Sequence, residues 1–96
     1  MINNKKYTIE EIVEVGLTYL APLENHYRYE TLVHAFAGHI TLNNNYYAVY
    51  SSAEMYRMFY EATRNVIVNN DFTAPGTRLA LIDLIVFFYE KMNEEL

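Results

Sequence analysis

The chain has 96 residues, 52% of them hydrophobic and 20% charged, which excludes a disordered protein and suffices for one small core in a single domain, residues 1–96. Cysteine is absent, which removes disulfide frameworks, thiolate metal sites and thiol nucleophiles. Seven basic against twelve acidic residues leave a net charge of -5, so the overall field does not draw the chain to a phosphate backbone.

The first helix is expected from Ile9 to Ala21. Thr8 is a good N-cap, and Glu11 three residues later completes a capping box. Ile9, Ile12, Val13, Gly16 and Leu20 share one face at helical spacing, and Pro22 stops the helix. Gly16 costs about 1 kcal/mol against alanine in mid-helix, so it is either a tolerated glycine or a point of close helix approach. A second helix is expected from Tyr27 to Ile40, with Tyr29, Leu32, Val33, Phe36 and Ile40 as its buried stripe and Gly38 weakening its end. Asn43-Asn44-Asn45 then signals a turn. Its flanks, Ile40–Leu42 and Tyr46–Tyr50, suit either a short β-hairpin or an extended loop. The third helix, from Ser52 to Val68, opens on a second capping box, Ser51 with Glu54, and ends at Asn69-Asn70-Asp71. The fourth runs from Pro75 or Thr77 to Glu94, with Thr73 or Thr77 as its cap and Pro75 in its first turn. The expected fold is mainly α, a four-helix domain with that hairpin or extended loop around residues 40–50.

Two of these helices carry more apolar surface than one small core absorbs. On the third, Met55, Met58, Phe59, Ala62 and Val66 form an ordinary core face, and beside it lies a second stripe of Tyr56, Tyr60, Thr63 and Ile67. Together they cover roughly 200°, about twice the stripe of a surface helix. The fourth is apolar almost all round, from Leu81 to Tyr89, with Asp83 and Glu90 on one narrow strip; such a helix is expected to be buried almost all round. The excess predicts a self-association surface on these two helices, through Ile67, Leu81, Ile85 and Phe88. A homodimer or larger homo-oligomer is expected.

Tyrosine is abundant, with ten copies, and five fall close together: Tyr46, Tyr47, Tyr50, Tyr56 and Tyr60. A side chain with a large apolar body and a polar tip suits half-buried sites and binding hot spots. These five are the candidate partner-binding residues, as a surface for a protein or as a pocket for a nucleotide or other small molecule. Stacking on single-stranded nucleic acid also needs an electropositive groove, and only Arg57 is near in sequence.

No catalytic constellation emerges. His26, Glu30 and His34 line up at four-residue spacing, but Glu30 and His34 fall opposite Leu32 and Phe36, toward solvent, and His39 lies about 140° from His34. No metal and no cofactor is expected. Asp83 and Glu90 would be perturbed if buried, and a polar seam with Arg28, Arg57, Arg64 or His39 is their ordinary fate. Three scattered glycines make no phosphate loop, and Ser51 and Ser52 serve as caps. A recognition helix for DNA would need an exposed basic face, and Arg57, Arg64 and Asn65 are interrupted by Glu54 and Glu61.

Lys5 and Lys6 are followed by Glu10, Glu11 and Glu14 rather than by the apolar run of a secretory signal. The apolar stretch Leu79 to Tyr89 contains Asp83 and falls short of the about 20 residues of a membrane span. A cytoplasmic, non-enzymatic interaction protein is therefore expected, one that binds and occupies or inhibits a protein partner, in the manner of small phage or mobile-element inhibitors. A ligand-binding module and a DNA-binding regulator are the alternatives, with nucleic acid and membrane not expected as partners.

Overall fold

The computed structural model describes residues 4–70 and 75–95. In chain order these form β1 (Tyr7–Thr8), α1 (Ile9–Leu20), one 3-10 turn (Ala21–Leu23), α2 (Tyr29–Asn43), β2 (Val49–Tyr50), α3 (Ser52–Asn69) and α4 (Pro75–Glu95). The fold is mainly α, with four helices and one small two-stranded antiparallel sheet.

Both capping boxes form. The Thr8 hydroxyl accepts from the Glu11 backbone N–H at 3.2 Å, while the Glu11 carboxylate accepts from the Thr8 backbone N–H at 3.0 Å. Ser51 and Glu54 repeat this at 3.2 and 2.9 Å. The sheet joins the two starts, because Tyr7 pairs with Tyr50 and Thr8 with Val49, each strand leading into a capped helix. The extended segment near residue 50 thus pairs with the N-terminal strand. Its expected hairpin partner, Ile40–Leu42, is helical instead.

α2 starts and ends later than its sequence pattern suggests. Arg28 adopts a left-handed conformation, φ 66°, which separates the preceding turn from the helix. At the far end the Asn43 and Asn44 amides donate to the carbonyls of His39 and Ile40, at 2.8 and 2.9 Å, and satisfy groups a helix terminus leaves unpaired. Gly38 therefore lies inside the helix. Pro22 ends α1 as expected, although the chain continues as one tight turn. Thr73 as a cap and Asp71 in the turn before α4 lie outside the described residues.

The core is built from Ile9, Ile12 and Leu20 of α1, Leu32, Phe36 and Ile40 of α2, Met55, Met58, Phe59, Ala62 and Val66 of α3, and Leu81 and Phe88 of α4. Its centre is aromatic. Phe59 stacks with Phe36 at 5.9 Å and meets Phe88 at 5.2 Å, and Tyr19 of α1 contacts Phe88 edge-on at 5.2 Å. Gly16 sits beneath these rings, which is the close approach its position allowed. No helix of the described residues is long and apolar enough to cross a membrane.

Candidate interaction surface

α4 decides where apolar surface is left over. It runs antiparallel to α3, with Phe59 on Phe88, Tyr60 on Tyr89 at 5.8 Å, and Ile67 beside Arg78. The side of α4 that faces α3 carries Thr77, Leu81 and Phe88, all buried. A helix that is apolar all round has other apolar sides, and one remains outside. Leu79, Ile82, Val86 and Tyr89 are 62%, 41%, 51% and 50% exposed. Their spacing of three, four and three residues places them on one strip within roughly 80° of arc.

This corrects the sequence reading in two respects. α4 is not buried all round. Leu81 and Phe88 are core residues and are not available to a second molecule, while Ile67 and Ile85 are half-buried beside the core. The exposed strip lies one helical face away from the expected one. Periodicity alone could not choose between the two, because each carries large apolar residues. The recurrence of Leu79, Ile82, Val86 and Tyr89 is visible in the sequence, but only the seat of α4 on α3 makes it the outer strip.

The strip has charged margins. Asp83 and Glu90 are exposed along one side of it. On the other lie Arg78 of α4 and, beyond the Tyr60–Tyr89 ring pair, a mixed-charge face of α3 on which Arg57 and Arg64 alternate with Glu54 and Glu61, all exposed. Arg57 pairs with Glu61 at 3.1 Å within its own helix, rather than with Asp83 or Glu90.

The five candidate tyrosines do not gather into one site. Tyr46 and Tyr47 pack edge-on at 5.5 Å in the turn after α2, and Tyr47 is 93% exposed. The Tyr46 hydroxyl donates to the Glu10 carboxylate, and that bond to an anion raises its pKa. Tyr50 is half-buried in β2 and donates to the Asn45 carbonyl at 2.9 Å. Tyr56 faces inward, its hydroxyl 3.3 Å from that of Tyr19; burial first, and then this neighbour, push its pKa above the ordinary phenol value. Tyr60 rests on Tyr89 at the border of the α4 strip.

His26 lies in the turn before α2, so it does not line up with Glu30 and His34 on one helix. Glu30 and His34 are exposed, and no group of three potential ligands gathers among the described residues. His26 bonds through Nδ1 to the buried Thr77 hydroxyl at 2.8 Å and ties the turn before α2 to the first turn of α4. His39 lines a shallow depression of about 390 Å³ with Glu61, Arg64, Asn65, Val68 and Asn69.

No family model, curated protein or solved structure matches this chain.

Proposed function

We propose that this protein is a non-enzymatic interaction module that associates with a second copy of itself through the outer strip of α4 and acts by occupying the surface of a protein partner. The exposure of Leu79, Ile82, Val86 and Tyr89 on one helix face carries this reading. Interfaces between like chains are more apolar at their centre than other surface, and they favour aromatic residues. Four large apolar side chains in line along three turns, rimmed by charge, have that composition. The Tyr46–Tyr47 pair, at the head of the turn after α2, is left as the face for the second partner.

The test is solution mass by light scattering over a range of concentrations. The wild-type chain is expected to run as a dimer or larger assembly, and Val86→Asp as a folded monomer. Tyr47→Ala should keep the wild-type mass. A wild-type monomer at the highest soluble concentration overturns the reading.

A further inference from the structure

We infer that the second copy lies parallel to the first and in register along α4, as a short two-stranded coiled coil. The inference rests on the self-association proposed above and specifies its geometry.

The strip continues beyond Tyr89. Leu79, Ile82, Val86, Tyr89 and Asn93 recur at three, four, three and four residues, and all five are exposed. That is the 3.5-residue repeat of a coiled-coil seam, with Leu79, Val86 and Asn93 at one set of seam positions and Ile82 and Tyr89 at the other. A lone Asn in such a seam selects register, because its amide finds an equal partner only in the matching residue of a parallel, aligned copy. In an antiparallel pair Asn93 would face the apolar N-terminal half of the helix.

The margins select the same orientation. The twofold axis of a parallel pair runs along the helices, so the acidic margin of each copy meets the margin of the other that carries Arg78. Arg78 then lies beside the second copy's Asp83, across the seam and five residues on. An antiparallel pair centred on the strip would instead set Asp83 against the second copy's Glu90, a like-charge contact that weakens association.

The chain has no cysteine, so single replacements report directly. Leu79 and Tyr89 are separated by about 15 Å along the helix, and a disulfide needs Cα atoms within about 7 Å. Under mild oxidant, Leu79→Cys alone and Tyr89→Cys alone are each expected to give covalent dimers. Cross-linking only in a mixture of the two variants would show an antiparallel pair and overturn this inference while leaving self-association intact. A wild-type chain that is monomeric by light scattering overturns the self-association itself. As an independent arm, Asp83→Arg should weaken the dimer by about tenfold, and Arg78→Asp added to it should restore most of the loss. Both positions are exposed, so circular dichroism should be unchanged. Absence of rescue overturns the margin pairing.

Discussion

Gly16 of α1 lies so close beneath Phe36 of α2 that a Cβ built on it would stand 2.6 Å from Phe36 Cε1 and 2.8 Å from Phe59 Cε1. The missing side chain is what allows α1 to approach the aromatic centre of the core. Gly38 has no such neighbour, with nothing within 4 Å of its Cβ position.

The two glycines therefore respond in opposite directions to the same change. Gly16→Ala should destabilise by about 1–3 kcal/mol, because rings packed on both sides resist displacement and overpacking outweighs the gain in helix propensity. Gly38→Ala should stabilise by up to about 1 kcal/mol through propensity alone. Urea unfolding of both variants against wild type checks the pair of signs.

Neighbouring positions on α4 should separate stability from assembly. Phe88 is buried and touches Phe59 and Tyr19, so Phe88→Ala should lose about 3–5 kcal/mol of folding stability. Val86, two residues before it, is half exposed, and Val86→Ser should change monomer stability by no more than about 0.5 kcal/mol. Denaturation at low protein concentration, where assembly contributes least, distinguishes them. Equal losses at both positions would contradict this assignment of the faces of α4.

Acid should weaken the protein through its two capping boxes. Glu11 and Glu54 each accept a backbone N–H and a hydroxyl interaction from the cap residue, which holds their pKa below the ordinary 4.5. A carboxylate whose folded pKa is depressed contributes its full stability above its unfolded value and loses it as pH falls through the folded value. Thermal stability should therefore decline below about pH 4.5, and Glu11→Gln with Glu54→Gln should flatten that decline. Ser51→Ala and Thr8→Ala should each cost about 0.5–2 kcal/mol at neutral pH.

Alkali should act through Tyr56. Its folded pKa is raised above the ordinary 10.0, first by burial and then by the Tyr19 hydroxyl. A raised tyrosine contributes stability that is present below the unfolded value and disappears as pH climbs toward the folded one. Phenolate absorbance should show a late component to which Tyr56 and the Glu10-bonded Tyr46 contribute, and Tyr56→Phe should remove its own part of that component. The same variant should soften the loss of stability above pH 10.

The local features of this fold were legible in the residues that make them. Thr8 with Glu11 and Ser51 with Glu54 mark two helix starts because a capping box is closed by groups three residues apart. Met55, Met58, Phe59, Ala62 and Val66 mark a core face because one helix, whatever it packs on, brings them together. That apolar surface would exceed the core followed from counting stripes on α3 and α4.

Which surface remained outside was decided by tertiary structure. α4 presents large apolar residues in every direction, so its own pattern assigns no face to the core. Only the antiparallel seat on α3, with Phe59 against Phe88 and Tyr60 against Tyr89, turns Leu81 inward and leaves Val86 outside. The strand at Val49–Tyr50 was equally undetermined. A two-residue ladder carries too little local preference to choose its partner, and the packing of α1 beside α3 brings Tyr7–Thr8 to it. Local hydrogen bonds and periodicity settle what a segment becomes, whereas the choice among equally apolar faces belongs to the shape of the neighbour that covers one of them.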